Sequence, residues 1–363
     1  MVEMADIFRQ YGPAYRAKYG DDMPPSHLKV MAAIEACRTE ILGGHVYYCG
    51  QCEETFYSYH SCHNRHCPKC QNEAAQTWLE KQQALLLPVP YFMVTFTLPA
   101  ALRPLARSHQ KIVYNLLFRT ASAALQQLAQ DPRFVGGKIG MVGILQTWTR
   151  DLRYHPHIHF LVPGGGLADD AETWMPSGQN FFVHEKPLSI LFRAKFRDAL
   201  KQTDLFDQVP AHTWAQEWVA DCQPVGSGAA AFKYLAPYVF RVAISNNRIL
   251  KLENDQVTFT YKDGDSGKPK RCTLPAEQFM HRFLQHVLPT GFVKIRYFGL
   301  FSSGNRHLLH RVRSLLGASD PHPPGPISQQ SDPEANTQLP ELSCPKCGHS
   351  MAVIQSIRPH KPP

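Results

Sequence analysis

The sequence predicts an α+β protein built on an antiparallel sheet, with a small metal-binding region ahead of it, and three observations carry this reading. Runs of β-branched and aromatic residues, most plainly 91–98 and 154–162, read as strands. Apolar residues at helical spacing over 26–42, 109–130, 189–205 and 276–287 read as helices set between them. Six of the ten cysteines stand in Cys-x-x-Cys pairs, at 49/52, 67/70 and 344/347. That is ligand spacing for a metal in a reducing compartment, not a disulfide framework.

Length and composition set the bounds. A chain of 363 residues has room for two or three domains, and 44% hydrophobic with 19% charged residues is globular. Lys and Arg number 38 against 30 for Asp and Glu, a formal charge of +8, which points to a polyanionic partner, nucleic acid before membrane. The start, Met1-Val2-Glu3-Met4, has neither a basic nor an apolar leader region, and no stretch approaches a membrane span, so a cytoplasmic protein is expected.

In chain order, Ser26 caps a helix after Pro24-Pro25, with Leu28, Met31, Ile34, Cys37 and Ile41 as its core stripe and Gly43-Gly44 as its stop. Cys49 and Cys52 are followed after fourteen residues by Cys67 and Cys70. Two such turns bring four thiolates to the corners of a tetrahedron, so a single structural Zn²⁺ site is expected over about 45–72. Cys62, His63 and His66 lie between the pairs as donors that could replace one cysteine or help hold a second ion, and Arg65 and Lys69 face either a nucleic-acid backbone or solvent. A second helix runs from Asn72 to about Leu87, and Pro88 and Pro90 lead into the strand in which Phe92, Val94, Phe96 and Leu98 share one face.

The next strands, 138–148 and 153–162, are joined by a short turn and form an antiparallel hairpin. In the second, His157 and His159 point one way, joined by His155 if Pro156 leaves the strand start regular, while Ile158, Phe160 and Val162 point into a core. A strand that is apolar on one face and carries two imidazoles on the other is half of a divalent-metal site. The hairpin brings Gln146, or its neighbour, beside the pair, which makes its amide oxygen a candidate third ligand. Gly164-Gly165-Gly166 reads as flexible loop, and Arg193, Lys195, Arg197 and Lys201 as the wet face of a basic helix.

After a strand near 217–222 and a turn at Gly226-Ser227-Gly228, an alanine-rich helix over 229–241 is kinked by Pro237. It places Tyr234 and Tyr238 at i and i+4, with Lys233 and Arg241 nearby; by spacing alone these are packing aromatics. Strands near 248–252, 256–262 and 293–298 follow. Residues 319–340 are rich in Pro, Ser, Gln and Asp and read as a linker to the tail 341–363. There Cys344 and Cys347 are half of a zinc knuckle, to be completed by His349, His360, another part of the chain or a partner, unless the pair holds no metal.

A cysteine cluster, His-Ile-His on a strand and Tyr-x-x-x-Tyr on a later helix stand in that order. With Ser61–Cys70, Val94–Pro99, Tyr154–His159, Lys233–Val239 and His286–Pro289, the chain resembles, over nearly its whole length, the rolling-circle insertion-sequence transposases of the HUH class, family ninety-one. The resemblance implies a helical and zinc-binding region over 1–87 and an HUH nuclease domain over 88–318, an antiparallel sheet flanked by helices. It implies DNA as the partner, as single strands or hairpin element ends. His157 and His159 take the place of the family's metal pair, serving Mg²⁺ or Mn²⁺, and Tyr234 and Tyr238 take the place of its two nucleophiles. A 5′-phosphotyrosine conserves the energy of the broken bond for rejoining. The competing reading is a zinc-containing DNA-binding regulator without catalysis, which leaves the pairing of metal strand and tyrosine helix unexplained. A zinc hydrolase lacks an evident carboxylate base near the histidines.

Overall fold

The computed structural model describes residues 2–70, 82, 85–228, 230–231, 242–264, 266–318 and 341–360. The chain opens with helices α1 (Met4–Tyr19) and α2 (Pro25–Ala36), then strands β1 (Gly44–Cys49), β2 (Glu54–Tyr59) and β3 (Pro90–Thr97). Helices α3 (Arg103–Ser108) and α4 (Gln110–Ala129) lead to β4 (Gly140–Trp148), β5 (Tyr154–Pro163), β6 (Gly165–Leu167) and β7 (Trp174–Pro176). After α5 (Glu185–Leu200) come β8 (Val219–Ser227), β9 (Ile249–Glu253), β10 (Gln256–Lys262) and β11 (Pro269–Pro275). Helix α6 (Ala276–Leu284), β12 (Ile295–Gly299), α7 (Arg306–Leu315), β13 (Leu342–Ser343) and β14 (Ser350–Ile357) complete the described elements.

The main sheet has five strands in the order β12-β4-β5-β3-β8, every pair antiparallel. Its period-two pattern divides the faces as expected. Phe92, Val94, Phe96, Ile158, Phe160 and Val162 join Met141 and Leu145 in a core closed by Val113, Leu117 and Phe118 of α4 and by Leu188, Phe192 and Phe196 of α5. On the opposite face Tyr91, Met93, Val142, Ile144 and Leu161 pack with Leu309 and Val312 of α7 and with Ala231.

Pro156 sits inside central strand β5 without breaking it. Tyr154 pairs with Trp148 and His157 with Gln146, so His155 and Pro156 oppose the single residue Thr147. The proline, which has no N–H to give, stands where a bulge needs none, and its carbonyl still accepts from the Leu98 amide at 3.0 Å.

The remaining elements pack across sequence boundaries. Ile7 and Phe8 of α1 and Met31 and Ile34 of α2 share one core with Ile249, Val257 and Phe259 of the three-stranded sheet β11-β10-β9 and with Phe279 and Phe283 of α6. Packing therefore does not divide at residue 87, because the N-terminal helices lean on 243–287. The last strands also fold back: β14 pairs antiparallel with β1, from Gly44 opposite Ile357 to Tyr48 opposite Ala352, in a sheet ordered β13-β14-β1-β2.

Three local expectations change. Helix α2 stops at Ala36 rather than near 42, since Cys37 is extended and Arg38 has a positive φ of 55°. Two of the three glycines are ordered strand, not flexible loop: β6, from Gly165, pairs with β7, and a Cβ on Gly165 would lie 2.6 Å from the Trp174 ring. Strand β11 went unread because Lys270, Arg271 and the flanking prolines hide its alternation, yet it pairs with β10 along its whole length. The helix read from Asn72, the linker 319–340 and most of the helix over 229–241 lie outside the described residues.

Candidate metal and strand-cleavage site

His157 and His159 lie on the central strand of the five-stranded sheet, on the face away from the α4–α5 core, with ring centroids 4.8 Å apart. Both are half-buried. Their ring nitrogens are oriented by neighbours. The Nδ1–H of His157 donates to the His155 carbonyl at 2.7 Å, which puts the lone pair on Nε2. Nδ1 of His159 lies 2.9 Å from the Thr95 hydroxyl, directly across the β3–β5 ladder. Burial lowers the His157 pKa below the ordinary imidazole value, so the ring stays neutral, as a metal ligand must.

His155 shares the face, with its ring 5.4 Å from that of His157. Its Nδ1 accepts from Arg103 Nη2 at 2.7 Å. Burial, with help from His157 and Arg103, pushes its pKa down to about 4. A nitrogen that already accepts from a guanidinium is not a metal donor through that atom, so His155 positions Arg103 at the edge of the pair.

Gln146 is directly opposite His157 in the β4–β5 register and 4% exposed. Two neutral imidazole nitrogens and an amide oxygen together make a mixed nitrogen and oxygen donor set of the kind that can hold a divalent metal ion. Thr95 and Arg103 were missed by sequence reading, because neither carries a local motif. Asp221 was missed as well; it pairs with Thr95, which pairs with His159, and so stands two strands from the histidine at about 10 Å. Tyr234 and Tyr238 lie outside the described residues. Ala231, three positions before Tyr234, is fully buried in the cluster with Met93 and Leu161, on the histidine side of the sheet.

The cysteines regroup. The single site expected from Cys49, Cys52, Cys67 and Cys70 is not what the fold assembles. Cys67 and Cys70 converge with Cys37 and Cys62, while Cys49 and Cys52 converge with Cys344 and Cys347, each set with its sulfurs within 4.8 Å of one another. The cause is topological: β1 and β2 carry the Cys49–Cys52 turn toward β14, whereas 62–70 folds onto the end of α2. Cys37 was hidden because it fits the helix's apolar stripe, and it is both buried core and member of a thiol cluster. Arg65 does not face outward to a phosphate backbone; its guanidinium donates to the carbonyls of Pro289 and Phe292. Lys69 pairs with Glu3.

Comparison with known proteins defines the class. A family described as "Putative transposase" matches residues 140–307, and one described as "Transposase zinc-binding domain" matches 7–98. The chain belongs to the transposases of insertion sequences of the IS91 type, with an N-terminal zinc-binding domain. Among its relatives, "Putative transposase y4qJ" of Sinorhizobium fredii is 40% identical over 384 residues, covering 98% of this chain and 95% of that one. The "Transposase for insertion sequence element IS801" of Pseudomonas savastanoi pv. phaseolicola is 29% identical over 346 residues, covering 89% and 82%. No solved structure matches the chain. Among the described residues no helix is long and apolar enough to cross a membrane.

Proposed function

We propose that this transposase cuts and rejoins single DNA strands by a rolling-circle route, with His157 and His159 holding a divalent ion and Tyr234 and Tyr238 as nucleophiles. The observation that carries the reading is the histidine pair itself: two imidazoles on one face of the central strand, with their Nδ1 atoms engaged by the His155 carbonyl and Thr95. Second partners of this kind fix ring orientation and tautomer at metal sites. Gln146 is the third candidate ligand by register.

A divalent ion at this site would act as Lewis acid on the scissile phosphate and offset charge on its non-bridging oxygens. The protein's own part is to supply the nucleophile and the field. A tyrosine hydroxyl attacks phosphorus, the bond to the 3′ oxygen breaks, and the chain is left joined to the 5′ phosphate while the other strand end keeps a free 3′-OH. The phenol, with an ordinary pKa near 10, must lose its proton in the process. Lys233, beside Tyr234 in sequence, is the candidate to lower that pKa. Arg103, next to His155, presents a cation for an adjoining phosphate. The partner is DNA, and the reading takes it as single-stranded or as hairpin element ends.

The test is incubation with end-labelled single-stranded DNA carrying an element terminus, in Mg²⁺ or Mn²⁺, followed by a denaturing gel. A protein–DNA adduct that resists denaturation is expected from the wild type and not from His157→Ala. Cleavage that proceeds unchanged in a chelator would sink the metal-dependent mechanism.

A further inference from the structure

We propose that the chain holds two structural zinc ions, and that one of them is bound jointly by its two ends, through Cys49 and Cys52 with Cys344 and Cys347. The transposase zinc-binding match covers 7–98, which contains Cys37, Cys62, Cys67 and Cys70 as a complete set of four but excludes Cys344 and Cys347. The same match contains Cys49 and Cys52, so the composite centre lies half inside the zinc-binding domain and half in the C-terminal tail. It is independent of the strand-cleavage reading.

Distances carry the argument. Zinc–thiolate bonds of about 2.3 Å in a tetrahedron set the sulfurs about 3.8 Å apart along each edge. Cys49 Sγ lies 3.5 Å from Cys347 Sγ, and Cys52 Sγ lies 3.9 Å from Cys344 Sγ. The first cluster has the same spacing, with Cys37 and Cys62 each 3.6 Å from Cys70. A disulfide would need about 2.05 Å, and all ten cysteines are free thiols.

The backbone around the four sulfurs is built as a pair of knuckles. Gly348 N–H donates to the Cys344 carbonyl at 2.8 Å and Cys344 N–H to the His349 carbonyl at 2.7 Å, with Gly348 at φ 78° where a side chain would be strained. The facing turn closes at Glu53, φ 55°. Cys49 and Cys344 are 0% and 2% exposed, and Lys346 pairs with Glu54 across the two turns. Among the described residues, the buried cluster around them holds Tyr47 and Met351 besides the cysteines, with Phe56, Leu342 and Val353 partly buried against it. A core this small is short of what a four-stranded sheet needs by burial alone, and small domains in that position commonly draw folding free energy from a bound metal. The exposed His349 is not needed to complete the set.

The consequence is that 341–360 is an integral part of the N-terminal region. β1 is flanked by β2 and β14, and losing β14 on metal removal would turn it into an edge strand with unpaired backbone groups. The experiment is zinc content of the purified full chain, read with X-ray absorption at the zinc edge. Two zinc ions per chain are expected, each with a sulfur-only shell near about 2.3 Å. Cys344→Ser/Cys347→Ser is expected to keep one zinc, and Cys37→Ser/Cys62→Ser to keep the other. As a second measurement that does not depend on a variant's folding, a site-specific protease sequence placed within 319–340 is cut in the folded wild-type protein. The C-terminal fragment should stay bound during gel filtration and leave when a chelator is added. One zinc in the full chain, two in the Cys344/Cys347 variant, or release of the fragment while zinc stays would each overturn the proposal.

Discussion

Thr95 does for His159 what the backbone carbonyl of His155 does for His157: it takes the Nδ1 nitrogen, at 2.9 Å. Removing that hydroxyl while keeping the branched shape, in Thr95→Val, is expected to weaken Mn²⁺ binding about 10- to 100-fold, the usual cost of losing a second partner at a metal site. The fold should survive, since Thr95 is half-buried in a strand. Isothermal titration with Mn²⁺ reads the effect, and an unchanged affinity would remove Thr95 from the site. That His157 and His159 share one face of a strand was legible from alternation alone. Thr95 was not, because its partner is 64 residues away and only the β3–β5 register joins them. Cys37 was misjudged for the opposite reason, since a cysteine obeys the rules for core so well that its stripe position concealed its sulfur's neighbours.

At the scale of elements, the hairpin β4–β5 was readable, and with it the placing of Gln146 opposite His157. Strand runs with strong alternation fix their own faces, because a one-residue slip would expose the whole apolar set. What was not readable depends on distant surroundings. The glycine triplet at 164–166 is a case: nothing local distinguishes a loose loop from a strand squeezed under an indole. Gly165 has φ 153°, and an added Cβ would meet Trp174 ring carbons at 2.6 Å and the Met175 carbonyl at 2.7 Å. Gly165→Ala is therefore expected to destabilise the fold by about 1–3 kcal/mol, as overpacking does. Urea denaturation measures it, and a midpoint equal to that of the wild type would show that the β6–β7 ribbon is as loose as the sequence suggested.

For the whole molecule, the N-terminal helices, the β9–β11 sheet and α6 form one core, and buried histidine links it to the hairpin. His286 is 2% exposed, bonded to Thr147 Oγ1 at 3.2 Å and to the Leu152 carbonyl at 3.3 Å, with Trp148 and Tyr154 against its ring. Burial pushes its pKa down to about 3 from an ordinary 6.5. A depressed folded-state pKa gives stability that is whole above about 6.5 and is lost as pH falls toward the folded value, because only the unfolded chain takes up the proton. Between those limits the contribution falls by about 1.4 kcal/mol per pH unit. Because burial also depresses His27, His66 and His155, chemical denaturation from pH 7 to pH 5 should show a slope steeper than one proton, and His286→Asn should lower it by about one proton, ~1.4 kcal/mol per pH unit; an identical slope in the variant would assign the acid sensitivity elsewhere.

The formal charge of +8 belongs to the same scale. Binding to single-stranded DNA should weaken with salt at about −0.7 in log K per phosphate contacted, and His157→Ala should keep that dependence, since dispersed Lys and Arg supply it. A flat salt titration would leave the charge as a matter of solubility.

Under the proposed mechanism a tyrosine of the 234–238 pair becomes covalently joined to DNA beside the metal that His157 and His159 would hold. The most direct measurement is recovery of the labelled adduct formed with Mn²⁺, followed by peptide mass spectrometry, in the wild type and in Tyr234→Phe/Tyr238→Phe. A 5′-phosphotyrosine is expected in the peptide that contains Tyr234 and Tyr238, and no adduct from the double variant. An adduct of normal yield from the double variant would contradict it and return both tyrosines to packing.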